Sequence, residues 1–116
     1  MVNLDKLLLE VIEDVKSVGF PVVNVLQMVV IDKEVKDSFG TCHKYLNPKY
    51  YEIHLSDFML KANANEIKNV LAHEILHTSD DTMEHNDIWC HFKDLMNKNL
   101  GYNIKTKCTM HDVFKK

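Results

Sequence analysis

Nowhere in this sequence do apolar residues run unbroken for the roughly 20 positions that a bilayer span requires. The leucines near its start are interrupted by Asp5, Lys6, Glu10 and Glu13, which a secretory leader would not tolerate. The expected setting is therefore cytoplasmic, with no membrane partner. Cysteine is scarce too: Cys42, Cys90 and Cys108 are odd in number and far apart, which excludes a disulfide framework and suits free thiols in a reducing compartment. Arginine is missing altogether, and 14 lysines face 17 acidic residues for a net charge of -3. That balance excludes the marked basic excess of a constitutive nucleic-acid binder. The lysines Lys105, Lys107, Lys115 and Lys116 near the C-terminus read as solvated surface. No repeat, low-complexity tract or linker interrupts the 116 residues, 46% of which are apolar, so residues 1–116 are expected to form one domain with one core.

What is present is a clear alternation of periodicities. Leu4, Leu7, Leu8, Val11, Ile12 and Val15 follow the three-and-four spacing of an amphipathic helix, with Asn3 placed to cap it and Gly19-Phe20-Pro21 to end it. Residues 22–31 are rich in β-branched side chains. A second extended stretch at 39–46 and a third at 50–55 flank Asn47-Pro48-Lys49, which predicts three strands with the last two joined as a hairpin. Ser56-Asp57 can open a short helical turn through Leu60, and Asn63 with Glu66 forms a capping-box signature for a helix from Ala64 to about Thr78. Ile88, Trp89, Phe92, Leu95, Met96 and Leu100 then form another apolar stripe closed by Gly101, while residues 102–116 carry no clear signal. The order helix, three strands, two helices predicts an α+β fold.

The chemistry concentrates in His73-Glu74-Ile75-Leu76-His77. On a helix, histidines four residues apart project from one face about one turn apart, so both imidazoles can reach a single zinc ion. Glu74 follows the first histidine directly, where its carboxylate can act as general base on a zinc-activated water. Ile67, Val70, Leu71, Ala72, Ile75 and Leu76 make this helix apolar around most of its circumference. Two histidines and a glutamate are costly on a buried helix without partners, and a metal satisfies all three.

An open catalytic zinc site needs a third protein ligand, and Asp80, Asp81, Glu84, His85 and His91 are the candidates downstream. On a continuous helix His85 would lie about 12 Å beyond His77, so the chain must turn back first. Ser79-Asp80-Asp81-Thr82 is the polar stretch for that reversal, which favours His85, with Glu84 as its rival and His91 as an ordinary helix residue.

Over roughly residues 20 to 101 the sequence resembles the SprT-like metallopeptidases, a group that includes a protease of DNA-protein crosslinks. The resemblance rests on Val70-Leu71-Ala72 before the motif, on Gly40-Thr41-Cys42, and on Ile53-His54-Leu55-Ser56. It rests most on His85-Asn86-Asp87-Ile88-Trp89, which is similar to that family's third zinc histidine followed four residues later by Trp or Phe. It implies a small zincin-like domain, with a three-stranded sheet against the metal helix and His85 as third ligand on the next helix. The implied activity is zinc-dependent hydrolysis of peptide bonds, with a protein or peptide as substrate. Asn86-Asp87 stand where the family usually has Gly-Pro, and Cys108 with His111 cannot build the zinc ribbon that many of its members carry. Nothing in the chain then explains recruitment to DNA.

Two functions follow as expectations. One is a zinc metallopeptidase with His73, His77 and His85 as ligands and Glu74 as base. The alternative is a non-catalytic zinc-binding module that recognises a protein or nucleic-acid partner, which would favour four protein ligands and no water. Trp89 is expected in the core or as a wall of the metal site, Cys42 as a buried small hydrophobe, and His43 and His54 in cross-strand roles. Tyr102 and His91 are weak candidates for an oxyanion-stabilising group.

Overall fold

The computed structural model describes residues 3–34, 38–79, 82 and 85–105. Its elements are helix α1 (Leu4–Ser17), strands β1 (Val25–Asp32), β2 (Gly40–Tyr45) and β3 (Tyr50–Ser56), a 3-10 turn (Asp57–Lys61), and helices α2 (Ala64–Ile75) and α3 (Asp87–Leu100). Asparagine side chains cap all three helices. Asn3 accepts from the Lys6 amide and Asn86 from the Trp89 amide, while Asn63 and Glu66 close a reciprocal capping box.

The strands form a mixed sheet in the order β1-β3-β2, with β1 parallel and β2 antiparallel to β3. The hairpin expected between the last two strands is present, with Gly40 opposite Leu55 and Tyr45 opposite Tyr50. Alternation along β3 sends Tyr51, Ile53 and Leu55 into the core and Glu52 and His54 to the opposite face. Leu7, Leu8, Val11, Ile12 and Val15 of α1 meet that core, as do Ile67, Val70, Leu71, Ala72 and Ile75 of α2. The buried aliphatic side chains each contribute about 1.5–3 kcal/mol of transfer free energy. The free edge of β1 is partly closed by Asp5, whose Oδ1 accepts from the Val29 amide at 3.0 Å.

The sheet's other edge positions the site. β2 crosses α2 at Gly40, where a β carbon would lie 2.9 Å from the His54 carbonyl oxygen, 2.9 Å from Val70 Cγ1 and 3.5 Å from Glu74 Cγ. Glycine is required there by close approach, since Gly40 is the point at which the edge strand rests on the metal-motif helix. α2 itself ends earlier than periodicity predicts. The amides of His77 and Thr78 bond three residues back, to Glu74 and Ile75, and Thr78 Oγ1 donates to the Ile75 carbonyl. Tightening the last turn in this way ends the helix while keeping His77 one turn from His73.

Candidate metal centre

His73 on α2 meets His77 and His85 from the segment between α2 and α3. His77 lies in the tightened turn just past the C-terminal end of α2, and His85 sits two residues before α3, not on that helix as the resemblance implied, after the chain has reversed. Their Nε2 atoms form a small triangle: His73 to His77 is 3.3 Å, His73 to His85 is 3.0 Å and His77 to His85 is 3.1 Å.

The contact between His73 and His77 is not an ordinary hydrogen bond. His73 Nδ1 lies 2.9 Å from the Lys105 carbonyl oxygen, and His77 Nδ1 lies 2.7 Å from that of Thr82. A carbonyl only accepts, so each Nδ1 carries the proton and each Nε2 presents a lone pair. Burial disfavours relief by protonation, holding His73 down at about 3 and His77 at about 4, with the neighbouring histidines adding to the depression. Lone pairs so close repel unless a cation lies among them. With metal-nitrogen bonds of about 2.0 Å, a tetrahedral ion separates its ligand nitrogens by roughly 3.3 Å, close to the triangle found here. The chemistry of the donor set and its spacing thus fit a first-row transition ion held by three imidazoles, each of the first two fixed in its tautomer by a main-chain carbonyl.

Glu74 lies beside this triangle, with Oε2 3.9 Å from His73 Nε2 and its side chain only 5% exposed. Loss of solvent pushes its carboxyl up to about 8. A groove of about 240 Å³ opens over these groups, walled on one side by Gly40, Thr41 and Cys42 of β2 and on the other by Glu74 and the three histidines. Burial, reinforced by Glu74, pushes the Cys42 thiol up to about 12, so it stays protonated and is no nucleophile.

Trp89 forms the floor. It is fully buried, its ring centroid lies 4.7, 5.4 and 4.5 Å from those of His73, His77 and His85, and its Nε1 donates to the His73 carbonyl at 3.4 Å. Tyr102 and His91 are not brought to the site. The Tyr102 hydroxyl donates to Asp14 at 2.6 Å, and exposed His91 packs its ring on Phe92. The rival ligands Asp80, Asp81 and Glu84, and also Cys108 and His111, lie outside the described residues. Sequence reasoning missed the carbonyls of Thr82 and Lys105, because a main-chain acceptor leaves no mark on residue type.

A second cluster, Asp32, His43 and His54, lies on the outer face of the sheet. The two imidazoles stack with centroids 3.9 Å apart and planes 26° from parallel. An ion lies in the plane of each imidazole that binds it, and two nearly parallel rings at this separation share no in-plane point within coordination distance. The pair is a cross-strand stack flanked by Asp32 and Glu52.

Among solved structures, the crystal structure of the metallopeptidase zymogen abylysin from Pyrococcus abyssi superposes on this chain with a TM-score of 0.55. The match covers 89% of this chain and 100% of that one, at 18% sequence identity. The fold is zincin-like. No family model matches the sequence, and no curated protein sequence matches it. A zincin-like fold with a three-histidine cluster able to bind a metal is what sequence, geometry and comparison share. No helix among the described residues is long and apolar enough to cross a membrane.

Proposed function

We propose that this chain is a zinc metallopeptidase of the SprT-like type, with His73, His77 and His85 as ligands and Glu74 as general base. The observation that carries the reading is the triangle of Nε2 atoms 3.0 to 3.3 Å apart, in which His73 and His77 turn lone pairs toward one another that a shared cation would satisfy. Zinc fits the donor set, and when bound it would supply Lewis acidity toward a scissile carbonyl and acidify water near neutral pH. Glu74 takes up the proton of the attacking water and returns it to the departing amine. Burial raises its carboxyl in the metal-free site, and a cation held by the adjacent histidines would favour the ionised form that accepts a proton. Trp89 holds the three imidazoles in register from below, and β2 forms the wall against which a substrate segment lies.

The finer assignment is supported by Gly40-Thr41-Cys42, whose glycine is required by its contact with α2, and by Trp89 one turn after His85. The substrate class is a flexible protein or peptide segment in the cytoplasm, and DNA is not part of the proposal. The groove that opens over Glu74 and the three histidines leaves room for a substrate segment beside the cluster, which favours the enzyme over the binding module. The test is zinc analysis combined with cleavage of a casein-like substrate. About one zinc per chain and cleavage lost on chelation are expected. Zinc well below one per chain after reconstitution, or a zinc-loaded wild type that cleaves neither casein-like, DNA-associated nor self substrates, overturns the proposal.

A further inference from the structure

The main-chain carbonyl that orients His73 belongs to Lys105, 32 residues away, on a segment with no regular secondary structure. Such a segment holds a hydrogen-bond acceptor in place only if something else holds the segment. After α3, Gly101 takes the left-handed conformation at φ 73° and turns the chain back along the helix. The returning strap, residues 102–105, is then gripped nearest Lys105 by the side chain of Asn97. Asn97 Oδ1 accepts from the Ile104 amide at 2.8 Å, and Asn97 Nδ2 donates to the Ile104 carbonyl at 3.0 Å. This two-sided bond to one residue's main chain mimics the pairing of a neighbouring strand and fixes both position and rotation of the peptide units around Ile104. Ile104 is itself buried in the core. The next carbonyl along, that of Lys105, is the one at His73 Nδ1.

We propose that Asn97 is a positioning residue for the metal centre. Its grip on Ile104 holds the Lys105 carbonyl against His73, keeping that ring in the Nδ1–H tautomer with Nε2 aimed at the ion. The inference rests on the metal-site reading above, and it assigns to an unremarked α3 asparagine a share of the metal affinity. Asn69, which accepts from the Asn103 amide at 3.0 Å on the exposed side of the strap, grips one residue further from Lys105 and by a single bond. Its share is accordingly smaller. Outer partners of metal-bound histidines typically account for about 10- to 100-fold in affinity.

The experiment compares wild type, Asn97→Ala, Asn97→Asp and the core trim Ile12→Val in two measurements. The first is zinc affinity by competition with a chromogenic chelator. The second is the tautomer of His73 in metal-free protein at pH 8, from imidazole nitrogen chemical shifts. Asn97→Asp keeps the size and the Oδ1 acceptor but replaces the Nδ2 donor by a second acceptor and adds a negative charge, so the His73 tautomer is its decisive readout should the alanine variant fail to fold. The expected result is a roughly 10-fold or greater loss of zinc affinity in the Asn97 variants, with His73 passing to a mixture of tautomers. Ile12→Val should lower stability but alter neither readout. If wild type binds zinc and the Asn97 variants match it in affinity and tautomer, the proposal is overturned. If wild type binds no zinc, the metal reading fails, and the His73 tautomer alone decides whether Asn97 positions the ring.

Discussion

Replacing Glu74 by Gln should abolish hydrolysis and, in metal-free protein, raise stability. Glu74 is nearly inaccessible to water, and burial lifts its carboxyl from 4.5 to about 8. In the unfolded chain the group ionises near its ordinary value, so between these limits the folded state binds the extra proton. The stability contribution of a group raised in this way is complete below pH 4.5 and is lost as pH climbs through 8. At about 1.4 kcal/mol for each pH unit in that window, the penalty is roughly 1 kcal/mol at pH 5, 3 kcal/mol at pH 7 and approaches 5 kcal/mol above pH 8. Glutamine has nearly the size of the protonated acid and no charge to desolvate, so it escapes this term. Thermal unfolding in the presence of a chelator should show Glu74→Gln melting roughly 10 °C above wild type at pH 7, with the gap closing toward pH 5. Zinc content should be unchanged, and cleavage of a flexible substrate should fall by about 10²-fold or more, as on removal of a general base. Superimposable melting curves from pH 5 to 9 would refute the desolvation argument. Retained cleavage would refute the assignment of the base.

His85→Ala should weaken zinc binding by orders of magnitude and His91→Ala hardly at all, because only His85 reaches the triangle; equal zinc retention in dialysed samples would show the third ligand to be misassigned. Zinc at 100 times its dissociation constant should stabilise wild type by about 2.7 kcal/mol, seen as a melting shift of roughly 10 °C that His85→Ala abolishes. In metal-free Glu74→Gln protein, stability should fall as pH drops from about 6.5 toward 4. His73 and His77 are depressed by burial to about 3 and 4, so the unfolded chain gains protons that the folded one refuses, and a flat urea midpoint across that range would contradict it. Gly40→Ala should cost about 1–3 kcal/mol in urea unfolding, because its methyl meets a carbonyl and the Val70 side chain at 2.9 Å.

Local spacing was enough for a large part of this molecule. The four-residue interval from His73 to His77, the apolar faces of α1 and α2, the asparagine caps and the alternation in β3 are each written within one or two turns or a few strand positions. Their physical cause acts at the same range. The reversal that returns His85 was legible because a continuous helix would put it out of reach. Other features depended on residues far apart in sequence. The order β1-β3-β2 puts β2 at the edge beside Glu74, and Gly40 matters only because Val70 and the His54 carbonyl meet there. The tautomers of His73 and His77 are set by main-chain carbonyls, one of them 32 residues distant, and any residue type supplies a carbonyl. Asn97 meets the main chain of Ile104 only because the strap folds back along α3. Residue type and spacing determined which groups could bind a metal, while tertiary packing decided which way their rings face, since that depends on contacts no local pattern encodes.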